Sequence, residues 1–225
     1  MKTKISLIAA MALVAGSAVA ADSGFYAGAG IGYGKINVNE DKIDNNIDAF
    51  LNDAETGFAV TKSSVSQGSS PYSLTVGYKW MKYLATEISY IDLGNANYRS
   101  TISDGEVDAT VKGQWEAKGW PVSVLGIWPI DDSWSVFGRV GVFLGDVKFQ
   151  AKVVENGAAI CGFDQCAKGN TSDNSTQFIG GVGTDFNFMD TWTARLEWQA
   201  LPSLGNDDTG SGNWNNIQFS LLYNF

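Results

Sequence analysis

The sequence predicts an all-β fold, an eight-stranded antiparallel up-and-down transmembrane β-barrel, and three observations predict it. After the amino-terminal stretch no segment holds 18 consecutive apolar residues, so no helix of bilayer-spanning length is available. Apolar residues instead alternate with small or polar ones in runs bounded by Pro, Gly, Asn and Asp, the period-two signature of strands. The connections between those runs are short and long in strict alternation, the topology of an outer-membrane barrel with short periplasmic turns, long extracellular loops and both termini in the periplasm.

Met1 to Ala20 carries Lys2 and Lys4, an apolar run from Ile5 to Ala15 interrupted by Ser6, and the small-residue pattern Ala18-Val19-Ala20. Residues 1–20 therefore read as a secretory signal peptide, too short in its apolar part to span a bilayer, with residues 21–225 forming the barrel. Two lysines leave with the signal and no acid does, so the formal net charge of −9 becomes −11. A chain this acidic is a poor partner for the phosphates of nucleic acid.

Eight strands follow: Phe25 to Val38, Tyr72 to Trp80, Lys82 to Ala96, Lys112 to Trp128, Trp134 to Val154, Ser175 to Phe188, Thr191 to Leu201 and Asn213 to Phe225. Three connections are tight, at Met81, at Pro129 to Ser133 and at Met189-Asp190. Four are long and polar: Asn39 to Ser70, Asn97 to Val111, Glu155 to Asn174 and Pro202 to Gly212. Trp80 and Tyr83, Trp128 and Trp134, and Phe188 and Trp192 flank the tight turns, and Phe25, Tyr223 and Phe225 lie at the chain ends, which places an aromatic girdle at one membrane interface.

Within the strands one face is greasy. Phe25, Ala27, Ala29, Ile31 and Tyr33 alternate with Tyr26 and four glycines; Leu74, Val76, Tyr78 and Trp80 oppose Ser73, Thr75, Gly77 and Lys79. In the last strand Phe219, Leu221, Tyr223 and Phe225 share the apolar face. If that face meets lipid, a charged minority points into the lumen: Glu87, Arg139, Asp185, Arg195 and Glu197. An eight-stranded barrel leaves an interior that side chains can fill, and charges buried there need partners. Two arginines against three acids can make a network that fixes the lumen, or a switchable plug that admits small ions.

The first long connection contains a helix-like stretch, capped by Asn39, with Glu40 and Asp41 in its first turn and Ile43, Ile47, Phe50, Leu51 and Ala54 at helical spacing. Its stripe packs on the barrel rim, or serves as a partner contact or lid. Cys161 and Cys166 are the two cysteines, and export to an oxidising compartment favours a disulfide between them. Metal binding is the weaker alternative, since the chain has no histidine. Acidic Gly205 to Asn213 lacks the spacing of an EF-hand and reads as a solvated loop. Without histidine, the usual base of hydrolytic barrels is missing, so no catalytic residues, cofactor or metal are expected. Pro121, inside the fourth strand, and Pro202, at the outer end of the seventh, each remove a ladder hydrogen bond or mark a bulge, and would be the places for a lateral opening.

The segments GFYAGAGIGYG, VGYKWMKYLATEISYIDLGNANY, GWPVSVLGIWPIDDSWSVFGRVGVF and FIGGVGTDFNFMDTWTARLEWQ resemble the membrane-embedded domain of outer membrane protein A and its porin-like relatives, over nearly the whole mature chain. The resemblance implies a Gram-negative outer-membrane barrel whose lumen is blocked by inward charges, and it places Glu87, Arg139, Asp185, Arg195 and Glu197 on such positions. Where the family often has an inward charge, Gly30 and Leu125 stand here. The resemblance further implies contact with outer-membrane lipid and lipopolysaccharide, and delivery by periplasmic chaperones to the barrel-assembly machinery, which engages a terminal strand such as Phe219, Leu221, Tyr223 and Phe225. A peptidoglycan-binding domain is not expected after Phe225. The expected role is structural and surface-interacting, with loops open to host-surface or phage contacts. The alternative is a narrow, low-conductance pore.

Overall fold

The computed structural model describes residues 23–38, 45, 48, 59–66, 68–103, 108–155, 158–161, 171–204 and 212–225. Eleven strands run in chain order: β1 (Gly24–Val38), β2 (Ala59–Ser66), β3 (Gly68–Ser69), β4 (Tyr72–Met81), β5 (Leu84–Ser103), β6 (Asp108–Pro129), β7 (Trp134–Glu155), β8 (Ala158–Cys161), β9 (Thr171–Met189), β10 (Trp192–Leu204) and β11 (Gly212–Asn224). Eight of them form the wall, in the antiparallel order β11-β10-β9-β7-β6-β5-β4-β1. Pairing of β1 with β11, from Tyr26 opposite Asn224 to Val38 opposite Gly212, closes the cylinder and removes both sheet edges. No helix among the described residues is long and apolar enough to cross a membrane.

The greasy face is the outer one. Ile31, Val140, Leu196 and Phe219 are 71%, 58%, 51% and 53% exposed, as lipid-facing positions must be in a chain without its bilayer. At the turn end the aromatics interlock: Phe25 with Tyr78, Tyr78 with Trp80, Trp134 with Phe186, and Trp192 with Tyr223, ring centroids 4.6 to 5.1 Å apart. A second group, Tyr72, Tyr90 and Trp120, lies at the other end, with Tyr90 and Trp120 edge to face at 5.2 Å. Tyr72 is eight residues along β4 from Trp80, and at about 3.3 Å per residue and a tilt near 40° the two girdles stand roughly 20 Å apart, the height of an apolar band.

Several expected loops are instead strand. The turn after β4 is Lys82-Tyr83, so the third wall strand starts at Leu84. Residues 97–103 and 108–111 continue the pairing of β5 with β6, from Asn97 opposite Gln114 to Ser103 opposite Asp108. β2 adds to the free side of this extension, β3 pairs with β1, and β8 pairs with β7. Outside the membrane no lipid selects a greasy face, so these segments lack the apolar alternation that marks the wall. Their inner face carries mostly small side chains, Ala96, Ser100, Ala109 and Ala117, with Ile102 buried among the strand residues beside them. The barrel thus rises on one side into an extracellular sheet.

A bulge sets the faces of that sheet. Between Asp92 and Asn95 the β5–β6 register shifts. Gly94 takes φ of 78°, where a Cβ would be strained, and its N–H donates to Asp92 Oδ1 at 2.9 Å. Leu84, Ile88 and Tyr90 point outward before it, and Asn95, Asn97 and Arg99 after it. Pro121 leaves the β6–β7 register continuous, opposite Phe143, while the β10–β11 register shifts between Leu201 and Leu204, beside Pro202. Of the helix-like stretch, Asn45 and Asp48 are helical, and Asp48 Oδ1 accepts from the N–H of Val60 at 2.7 Å. The rest of that stretch, and the pairing of Cys161 with Cys166, lie outside the described residues.

Candidate functional site

The interior is layered. Nearest the turns, Tyr26, Ala85, Leu125, Ile127, Phe137 and Leu222 form an apolar ring. Leu125, at a position where the resemblance implied an inward charge, is fully buried in it.

Above that ring the structure brings together Glu87 (β5), Arg139 (β7), Asp185 (β9), Arg195 and Glu197 (β10). They join in one chain of charge. Arg139 donates from Nε and Nη2 to Glu197 at 2.5 and 3.1 Å, and from Nη2 to Glu87 Oε2 at 2.5 Å. Arg195 donates from Nη1 to Glu87 Oε1 at 2.5 Å and forks onto Asp185 at 2.7 and 2.8 Å. Glu87 is the hub, taking both arginines and the hydroxyl of Tyr26 at 2.7 Å. Bidentate guanidinium–carboxylate geometry is the arrangement that best offsets the desolvation of such a cluster.

Backbone placement explains how two strands can meet across a third. Arg195 lies directly opposite Asp185, whereas Arg139 must cross β9 to reach Glu197. Gly181 of β9 leaves that path open, because a Cβ there would stand 2.9 Å from Glu197 Oε1. Gly77 likewise makes room for Tyr26, whose ring a Cβ would strike, and Gly30 for Gln218 and Ser220. The inward glycines of β1 therefore house neighbours' side chains.

Sequence reading did not assign roles to Tyr26 or Phe137, although both share the inward parity of residues that it singled out. Phe137 carries the Arg195 guanidinium over its ring at 4.4 Å.

Farther out comes a polar layer. Gln218 donates to Ser73 at 2.6 Å and to Ser220 at 3.0 Å, and Thr75 bonds Ser89 at 2.8 Å. Between the charges and this layer is a void of about 10 Å³, room for about one water molecule. The extracellular end of the bore is then stopped by a second apolar cluster that includes Ile91, Leu93, Phe143, Ile179, Leu201 and Trp214. Phe143 and Trp214 are fully buried. At the opposite mouth a vestibule of about 690 Å³ leads from the periplasm past Asp132, Thr193 and Asn224 to Asp185 and Arg195. The terminal-strand residues Phe219, Leu221, Tyr223 and Phe225 all stand on the outer wall.

Residues 20–225 match the family model described as the OmpA-like transmembrane domain. The chain is 22% identical over 229 residues to outer membrane protein A of Serratia marcescens, covering 98% of this chain and 54% of that protein, so it spans about half the relative's length. Among solved structures it is similar to Ail, the attachment invasion locus protein of Yersinia pestis, at 15% identity and TM-score 0.46, with 89% of this chain and 98% of that one covered. It is also similar to the outer membrane protein OprG of Pseudomonas aeruginosa, at 11% identity and TM-score 0.47, covering 91% and 96%.

Proposed function

Because the chain belongs to the OmpA-like transmembrane domain family and resides in the outer membrane of a Gram-negative bacterium, we propose that it is an occluded barrel, a structural and surface-interaction protein that does not conduct solutes. One observation carries this reading: between the periplasmic vestibule and the extracellular face the bore narrows to a void of about 10 Å³ and is then filled by Phe143, Trp214 and their neighbours. In this reading the charged chain fixes the lumen, and interaction falls to the extracellular sheet that rises from β2, β5, β6 and β7. No histidine is present, and each lumen carboxylate is engaged by an arginine, which supports a non-enzymatic role.

Liposomes carrying the full chain are expected to exclude sugars of graded size, and planar bilayers to show no stable conducting steps. Swelling at the rate of a general porin would overturn the proposal. The vestibule that reaches Arg195 is the observation favouring a narrow pore instead, and small, ion-selective steps in the same bilayers are its signature.

Residues 1–20 serve as the export signal in this proposal, and β11 as the strand that the assembly machinery engages. Deleting Phe225, which is 61% exposed on the wall, is expected to lower the heat-modifiable, folded fraction in outer membranes several-fold. Unchanged assembly would remove that role.

A further inference from the structure

The charged chain in the lumen does not balance. Arg139 forks onto Glu197 and Arg195 onto Asp185, which leaves Glu87 as a third carboxylate against two guanidiniums, a surplus of −1. That surplus sits on a side chain that is 0% exposed, whereas Asp185 borders the vestibule. Lys79, the other base at that mouth, already has Asp132 and Asp190 around it. Hydrogen bonds from Tyr26 and both arginines spread the surplus over Glu87 but do not cancel it. A buried charge left uncompensated is strongly destabilising.

Beside the cluster lies the void of about 10 Å³, and oxygen surrounds it. Glu197 borders it from the charged side, and the hydroxyls of Ser73, Thr75, Ser89 and Ser220 and the amide of Gln199 border it from the polar layer. Among the described residues Gln199 Oε1 is buried with no hydrogen-bond donor, and so is Asn216 Oδ1, on the residue directly opposite Gln199 across the β10–β11 pair. Gln199 and Asn216 are only 5% and 1% exposed. Such carbonyl oxygens call for a positive partner. The hydroxyls can help, since the bonds of Thr75 with Ser89, and of Ser73 and Ser220 with Gln218, leave each oxygen a lone pair to offer.

An excess of one negative charge next to a single-sphere hollow walled by oxygen suits one class of occupant. We propose that the void holds one monovalent alkali cation, Na⁺ or K⁺, taken by the Glu197 carboxylate, the Gln199 carbonyl and the surrounding hydroxyls. Hard cations take oxygen ligands, carbonyl dipoles among them. One positive charge brings the cluster to zero, while a divalent ion would overshoot to +1. A water molecule would satisfy the carbonyl and leave the surplus where it is. The bound ion ties β4, β5 and β11 to the charged chain of β7 and β10. This site rests on the reading of a fixed lumen, and its test reads stability rather than conductance, so the two fail separately.

The test is urea unfolding of the full chain in zwitterionic micelles, in NaCl, KCl or choline chloride at one ionic strength, with heat-modifiability confirming the fold of every variant. Choline is too large for a void of about 10 Å³. The midpoint is expected to be higher in Na⁺ or K⁺ than in choline, and to climb with the logarithm of the alkali concentration. The unfolding constant should fall about tenfold when the ion stands at ten times its dissociation constant. Gln199→Leu, which removes a ligand, and Glu87→Gln, which removes the surplus charge without touching the void, should each abolish the difference between alkali ion and choline. Glu116→Gln, the same change of charge outside the bore, should keep it. Equal midpoints in the three salts would overturn the site and leave the void to water. An alkali preference that survives in Gln199→Leu or in Glu87→Gln would overturn it as well, by placing the ion elsewhere.

Discussion

Replacing Arg139 by alanine is expected to cost about 3–5 kcal/mol of barrel stability, the range for removing one partner of a buried ion pair, and to be the most damaging change among Arg139, Arg195 and Glu87. The geometry ranks the candidates. Loss of Glu87 leaves Arg139 on Glu197 and Arg195 on Asp185, two bases against two acids, each pair still forked. Loss of Arg195 strands Asp185, but that side chain is 11% exposed and borders the vestibule, where water can solvate it. Loss of Arg139 strands Glu197, whose side chain is 2% exposed, and leaves Glu87 to Arg195 alone. Urea titrations of the folded barrel in micelles should therefore rank Arg139→Ala below Arg195→Ala and Glu87→Gln in midpoint. Adding Glu197→Gln to Arg139→Ala should restore part of the loss, since it removes the orphaned charge. A midpoint for Arg139→Ala at or above that of Glu87→Gln would show that the cluster does not depend on this guanidinium.

The second large effect concerns the seal. If paired charges were the barrier, Arg195→Ala would open the bore. The layered interior predicts otherwise: the periplasmic vestibule already reaches Arg195, and the obstruction lies beyond it, in the cluster around Phe143 and Trp214. Arg195→Ala is therefore expected to leave bilayer conductance at the wild-type level. Phe143→Ala combined with Trp214→Ala, which removes two fully buried rings from the extracellular stopper, should produce clear conducting steps and sugar entry into liposomes. Each truncation also costs stability, about 3–5 kcal/mol for a large buried aromatic, so heat-modifiability must confirm that the variant still folds. A folded double variant that stays closed would show that the polar layer or the charges seal the bore. Opening by Arg195→Ala alone would place the gate in the network.

How far the sequence reaches depends on which physical force acts on each residue. Where lipid surrounds the chain, every second side chain must be apolar, so the alternation in Tyr72 to Trp80 or Trp134 to Leu144 states the strand, its faces and its direction without coordinates. Glu87, Arg139, Asp185, Arg195 and Glu197 follow from the same parity, because a charge within the lipid-surrounded part of a wall strand has only the lumen to face. Beyond the membrane that force is absent. Thr101 and Ile102 are paired strand residues, but in sequence they sit in a polar stretch indistinguishable from loop.

Sequence by itself thus determined a closed eight-stranded membrane barrel, its greasy exterior and the set of residues turned inward. Period-two patterning against a bilayer is a local property that each residue carries. Only the tertiary structure decided who meets whom: Glu87 as hub of both arginines, Tyr26 lodged over Gly77, Phe143 and Trp214 closing the extracellular end, and the bulge at Gly94 carrying Arg99 to the face of Lys118. Those contacts join strands as far apart as β5 and β10, and they depend on register and on the space that glycines leave, neither of which is written in any one strand.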